Sequence, residues 1–276
     1  MTQDRQSERL GVKVSFVAFP VAAEGKQPWH LAGEWRMPEA PVSASGRGAV
    51  LIVHGSAGVD SRGKSVAMAL NHIGLATLEI DLWAARGVKS AMERPRSVLA
   101  TLPDAFAALD FMADQPGIAP DRIGITGFSW GGVVSMLSAN TSRRDQFSKS
   151  GRQFAAHAPL YPVCSSYNKA PGHEFGDLTG APVMIQVGTA DLYDDPDACA
   201  RLVESLSPKD RACVTYHVYP DATHGWDRRE TDMVVFDPHA HNGKGGEVPF
   251  TFNAGVAEKS TAALVSFFGK ILGAAQ

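Results

Sequence analysis

Three residues of this chain have the types and neighbours needed for acyl transfer through a covalent intermediate. Ser129 sits in Gly-Phe-Ser-Trp-Gly-Gly at 127–132, Asp191 ends Val-Gly-Thr-Ala-Asp at 187–191, and His224 lies in Tyr-Pro-Asp-Ala-Thr-His-Gly-Trp at 219–226. A serine hydroxyl is a poor nucleophile near neutral pH, so it needs a histidine to take its proton and a carboxylate to orient that histidine. With 27 glycines in 276 residues, a Gly-x-Ser-x-Gly pentapeptide can arise by chance, so its setting has to carry the reading. Here a short β-branched run, Arg-Ile-Gly-Ile-Thr at 122–126, precedes it and an apolar helical pattern follows. A serine on such a strand-to-helix turn is strained and lifted above the sheet, at a helix N-terminus whose free N–H groups favour negative charge on a substrate oxygen.

The elements that must position these residues alternate strand and helix. The pattern predicts strands at 12–19, 31–37, 49–53, 75–80, 121–128, 154–160, 182–187 and 214–219, and helices at 61–73, 97–113, after 129, 196–206 and 255–272. The run Ala49 to Val53 is continuously apolar, the mark of a strand buried on both faces. The class is therefore α/β, with a mostly parallel sheet of about eight strands, helices on both faces and an antiparallel pair at the start. No linker divides residues 1–276, which read as one domain with a polar tail at 1–11 and an extra surface loop at 237–252 that could rim a pocket.

Within that frame the acid must follow a strand, and Asp191 is nearest the strand end, ahead of Asp194, Asp195 and Asp197. The base must follow the last strand. His30, His54, His72, His157 and His173 precede the acid and His217 falls inside a strand, which leaves His224, with His239 and His241 on the extra loop as alternatives. Two backbone N–H groups are needed for the oxyanion: Trp130, after the nucleophile, and Ser56, with Gly55 the alternative, on the loop after the third strand. His54 then pins that loop. Trp83, Tyr161 and Trp226 follow strand ends and are candidates to line the substrate pocket.

Composition narrows the partners. At 44% hydrophobic, 20% charged and a net charge of −3, the chain is an ordinary globular one without the basic field that attracts nucleic acid or an anionic membrane. The first ten residues are polar, with no signal-like apolar stretch, and no apolar run approaches 18 residues, so a cytoplasmic location is the default, with a mature secreted form as the alternative that would look the same. Cys164, Cys199 and Cys213 are odd in number and lack Cys-x-x-Cys spacing, which reads as buried reduced thiols.

The three motifs at 127–132, 187–191 and 219–226 together resemble the dienelactone hydrolase group of α/β-hydrolases, over about residues 12–272. The doubled glycine after the serine and the His-Gly-aromatic ending also recur in prolyl-oligopeptidase-type catalytic domains and acyl esterases. The resemblance implies ester or lactone hydrolysis of a small molecule by a Ser–Asp–His triad without metal or cofactor. The namesake enzymes carry cysteine where this chain has Ser129, and a glutamate where it has His54–Gly55. The resemblance therefore implies a general carboxylic-ester hydrolase rather than one for dienelactone itself. The span from 160 to 181, where related enzymes insert a lid, is too short for a full cap domain.

Two rival patterns remain. Gly58 to Ser65 satisfies Gly-x-x-x-x-Gly-Lys-Ser, the phosphate-cradling P-loop, between a strand and a helix. Against it, four residues separate the strand from Gly58, and Asp60 would bring negative charge to the phosphates. Asp237, His239 and His241 bring two imidazoles near a carboxylate, a pattern that could hold a metal but reads as a polar loop.

Overall fold

Every residue of the strand Arg47–Val53 is buried, and its side chains divide between two cores. Ala49, Leu51 and Val53 join one apolar cluster, while Val50 and Ile52 join another on the opposite face of the sheet. This is the double burial that the uninterrupted apolar run requires.

In this computed structural model, residues 11–42 and 45–273 are described, so the tail expected at 1–11 lies, apart from Gly11, outside the described residues. The chain runs β1 (Val12–Val21), β2 (Trp29–Pro38), β3 (Arg47–Val53), α1 (Ser61–His72), β4 (Ala76–Asp81), α2 (Leu102–Ala113), β5 (Ile118–Phe128) and α3 (Trp130–Leu137). It continues α4 (Thr141–Phe147), β6 (Ala156–Leu160), β7 (Val183–Gly188), α5 (Ala198–Ser205), α6 (Pro208–Arg211) and β8 (Val214–Tyr219). It closes with β9 (Met233–Asp237), α7 (Ala240–Gly243), β10 (Gly246–Phe250) and α8 (Ala254–Leu272).

Eight strands form one sheet in the order β1-β2-β4-β3-β5-β6-β7-β8. β1, β2 and β4 pair antiparallel, and the other pairs are parallel. Side chains of α1 and α8 supply one core, and those of α2, α3 and α5 the other. All parallel strands thus point their carboxyl ends to one edge, where an open α/β sheet places its ligand site. Between β6 and β7 there is only a short 3-10 turn at Cys164–Ser166, so no cap domain covers that edge.

The helix expected at 97–113 opens with a 3-10 turn at Val98–Thr101 before α2, and two stretches of strand and loop differ most from the sequence reading. β5 begins at Ile118 rather than 121, because the β3 register shifts between Arg47 and Ala49 and the bulge absorbs Pro120, as an irregular pairing can. The polar excursion at 237–252 is largely an antiparallel hairpin, β9 paired with β10, and not a loop. Its alternation is short and half exposed, so it lacks the apolar signal of a core strand.

One buried carboxyl is destabilising. Glu79 on β4 lies opposite Glu34 of β2 and is 7% exposed, its Oε1 has no hydrogen-bond partner among the described residues, and only a glycine at position 63 leaves room for it. Burial first, then repulsion from Glu34 and Asp60, pushes its pKa from the usual 4.5 to about 7. Below pH 4.5 both folded and unfolded chains hold this proton and nothing is lost. Between 4.5 and 7 the unfolded chain releases it first, so stability falls with rising pH, and above 7 the whole penalty, roughly 3 kcal/mol, is present. Glu79→Gln is expected to raise stability by up to that amount at pH 8 and hardly at all at pH 4, which denaturant unfolding at the two pH values measures.

Candidate active site

Ser129 ends β5 and starts α3 with φ 51° and ψ −108°, a conformation that a non-glycine residue holds only when its surroundings impose it. Its own N–H donates to Leu160 O at 3.0 Å and its carbonyl accepts from Val133 N–H at 2.9 Å. The flanking glycines explain the geometry. A Cβ on Gly127 would overlap the backbone of Gly131, one on Gly131 the carbonyl of Val53, and one on Gly132 would come within 2.7 Å of Leu160 O. Strand and helix therefore pass at backbone contact, and the serine is carried to the carboxyl edge of the sheet.

The acid and base loops leave β7 and β8 side by side and are stitched together. Ala190 N–H donates to Ala222 O, Thr189 N–H to Tyr219 O, and the Thr189 hydroxyl accepts Asp221 N–H. His224 Nδ1 then meets Asp191 Oδ2 at 2.7 Å, with both side chains buried. The other oxygen, Oδ1, accepts Tyr193 N–H at 2.9 Å, which fixes the carboxylate plane. With Nδ1–H donating to the carboxylate, Nε2 of the neutral ring carries the free lone pair of a base. The other acids on this loop are turned elsewhere: Asp194 accepts Ser165 N–H, Asp195 pairs with Arg201 and Asn242, and Asp197 pairs with Arg201. Among the described residues Ser129 Oγ forms no hydrogen bond, to His224 or to any other group.

His224 is packed between Tyr161, Tyr193 and Phe250, at ring-centroid distances of 4.7, 4.4 and 5.5 Å. Behind it the Tyr161 hydroxyl donates to Asp227 Oδ1 at 2.7 Å and accepts from Arg62 Nη1 at 3.2 Å, and Arg62 is itself held by Asp60. Burial, then the neighbouring Asp227, pushes the Tyr161 phenol well above its ordinary range, so it remains a proton donor in this network.

The amides of Trp130 and Ser56 have no acceptor among the described residues. Trp130 is the first residue of α3, where an N–H has no intrahelical partner. His54 on the same loop as Ser56 is buried and makes two hydrogen bonds, from Nδ1 to Gly55 O at 2.7 Å and from Leu82 N–H to Nε2 at 2.9 Å. Burial pushes its pKa down, and with both ring nitrogens engaged by backbone groups it has no lone pair free to act as a second base.

Ser56, Ser129 and Trp130 open onto a cleft of about 520 Å³, walled further by Val163, Tyr193 and Asp237. The pocket-lining expectation fails for the three aromatics. Tyr161 and Trp226 are 1% and 0% exposed and form the floor beneath His224, and Trp83, at 5%, packs behind the Ser56 loop. Strand-end aromatics are read from sequence without knowing which way the chain turns next. Residues missed instead include Val163, held at φ 54°, and the rim formed by Met92, Arg94 and Arg96. The hairpin also docks here. Asp237 accepts from the Tyr193 hydroxyl at 2.9 Å and lies 3.8 Å from Arg94, and His241 N–H donates to Leu192 O. Asp237, His239 and His241 do not converge as a ligand set among the described residues.

The cysteine reading also needs correction. Cys164, after β6, and Cys199, in α5, form a disulfide, with Cys213 left free. Sequence spacing of 35 residues carries no hint of the pairing, which arises because α5 packs on the turn after β6. The P-loop match dissolves as well. Asp60 caps α1, and the Ser61 amide and hydroxyl both donate to the Glu230 carboxylate, so two acidic side chains occupy the helix N-terminus a phosphate would need.

A glycine-framed serine at a strand-to-helix turn, facing loops from β7 and β8 across the end of a parallel sheet, defines an α/β-hydrolase. The profile of the dienelactone hydrolase family matches residues 38–272, and the chain belongs to that family. A Methylorubrum extorquens protein, provisionally named a carboxymethylenebutenolidase, is 29% identical over 189 residues, which is 64% of this chain. The chain spans 62% of that relative's length. Among solved structures, Thermogutta terrifontis esterase 2 phosphorylated by paraoxon superposes with a TM-score of 0.63 at 14% identity, covering 100% of this chain and 99% of that one. Dienelactone hydrolase from Anabaena variabilis gives 0.58 at 18% identity, over 94% and 99% of the two chains. At these identities the likeness is one of fold.

Proposed function

We propose that this chain is a single-domain serine hydrolase that cleaves carboxylic esters or lactones of small molecules, with Ser129 as nucleophile, His224 as base and Asp191 as its orienting acid. The observation that carries the reading is the buried 2.7 Å contact between Asp191 and His224, beside a cleft onto which the strained Ser129 opens. As substrate enters, the Ser129 hydroxyl turns to His224 Nε2; apo sites commonly tighten such contacts only with substrate bound. The oxygen attacks the carbonyl while Nε2 takes its proton, and the carbonyl electron pair moves onto an oxyanion held by the Trp130 and Ser56 amides. Collapse expels the alkoxide, which receives the proton from Nε2. Water deprotonated by His224 then attacks the acyl-enzyme, and the acid leaves with Ser129 restored.

The cleft lacks an inserted cap between β6 and β7 and is open to solvent, so an ester can reach Ser129 without the opening of a lid. No described helix is long and apolar enough to cross a membrane. The Cys164–Cys199 bond is of a kind that persists in oxidising compartments and weighs against the cytoplasmic default. A panel of p-nitrophenyl esters of graded chain length, a lactone and an aminoacyl anilide tests the reading, with ATP as a further substrate. Turnover is expected for short esters and the lactone. Cleavage of the anilide alone, or of ATP, would overturn it.

A further inference from the structure

The proposed oxyanion amide of Ser56 belongs to a loop whose shape is set by side chains outside the cleft. The peptide group that carries the Ser56 N–H also carries the Gly55 carbonyl, and in a planar trans peptide the two point in opposite directions. Gly55 O accepts from His54 Nδ1 at 2.7 Å and from Gly58 N–H at 3.1 Å, which fixes that plane from behind. The next peptide plane is fixed by Trp83, whose indole Nε1–H donates to Ser56 O at 3.0 Å. With both planes held, the backbone of Ser56 has no freedom to swing its N–H away.

Trp83 also reaches the other donor. Its ring meets that of Trp130 edge-on at 5.6 Å between centroids, and that of His54 at 5.1 Å. Trp130 is anchored in turn by its Nε1–H to Thr101 Oγ1 at 3.1 Å. The loop wraps the indole so closely that a Cβ on Gly58 would lie 3.5 Å from Trp83 Cδ1. Trp83 is itself immobilised, with its N–H and that of Ala84 both donating to Asp81 Oδ1. One buried side chain on the β4 loop therefore touches both residues whose amides face the developing charge.

We propose that Trp83 is a positioning residue of the oxyanion pocket, acting through its N–H bond to the Ser56 carbonyl and its ring contact with Trp130. The inference rests on the hydrolytic reading above. Since removal of a direct oxyanion donor costs 10²–10³ in kcat, misalignment of one through loss of its brace is expected to cost about 10- to 100-fold.

The test compares wild type, Trp83→Phe, and a protein with benzothienylalanine at 83, which keeps the shape of the indole and replaces its N–H by sulfur. Expected for both is a fall in kcat on p-nitrophenyl acetate with KM changed less than twofold. Affinity for an alkyl boronic acid, which adds to Ser129 as a tetrahedral mimic, should fall in proportion. The thermal midpoint of the benzothienyl protein should fall by no more than a few degrees, the cost of one lost hydrogen bond in a chain of this size, so that a poorly folded Trp83→Phe would not obscure the result. Wild-type kcat in the benzothienyl protein, or a loss of kcat without a parallel loss of boronate affinity, would overturn the role of Trp83. Ester turnover that is missing in wild type or survives Ser129→Ala would sink the hydrolytic reading as well, so the two failures are told apart.

Discussion

Ser129→Ala is expected to lower kcat for ester hydrolysis by four to six orders of magnitude while leaving the protein folded. Removing the nucleophile of a Ser–His–acid site leaves only the residual catalysis of the oxyanion pocket and binding, about 10³–10⁴ over water. The hydroxyl takes part in no hydrogen bond among the described residues, so its loss removes no native contact of that kind. Alanine also fits the crowded turn, where the strained φ of 51° is imposed by the contact of β5 with α3 and not by the side chain. Unfolding in denaturant should shift by less than about 1 kcal/mol, as for substitutions that break none of the large named interactions. A variant retaining even a hundredth of wild-type turnover, after contamination is excluded by mass spectrometry, would remove Ser129 from the mechanism.

Asp191→Asn is expected to cost about 10⁴ in kcat, for a reason of tautomers rather than of shape. The carboxylate accepts the Nδ1 proton of His224 and a backbone N–H from Tyr193. An amide keeping its oxygen on Tyr193 N–H presents its NH₂ to Nδ1. That atom must then act as acceptor, and the ring proton moves to Nε2, where a base needs a lone pair. The side chain is almost the same size, so the loop pairings between 189–191 and 219–222 should persist. The check is a pH-rate profile with thermal unfolding. A loss of only a few-fold would mean that orientation of His224 comes from its packing against Tyr161, Tyr193 and Phe250 alone.

The centre of the sheet is legible in the sequence because β3, β4, β6 and β7 are short, mostly apolar and buried along almost all of their length. β8, exposed at four of its six residues, is marked instead at 214–219 by its β-branched and aromatic run. The candidate site was legible because Gly-x-Ser-x-Gly, Asp191 and His224 each carry a local constraint, a tight turn or a strand end, that sequence records. What stayed hidden depends on long-range placement. Nothing at Tyr161 or Trp226 distinguishes an aromatic that faces the cleft from one wedged beneath the base. The pairing of Cys164 with Cys199 needs the packing of α5, and the hairpin at 233–250 owes its form to contacts with residues 192–195 as much as to its own alternation.

That hairpin makes the two banks of the cleft unequal as material for adaptation. On one side Asp237 and His241 are bonded to the segment that carries Asp191, so any change that reshapes this wall is transmitted to the carboxylate. On the other, Met92 is 69% exposed on the rim of the cleft. Divergence toward bulkier substrates therefore has its cheapest route at Met92 and Arg96, and not at Arg94, which is tied to Asp237 across the cleft, so descendants of this chain should accumulate their differences at those two positions first.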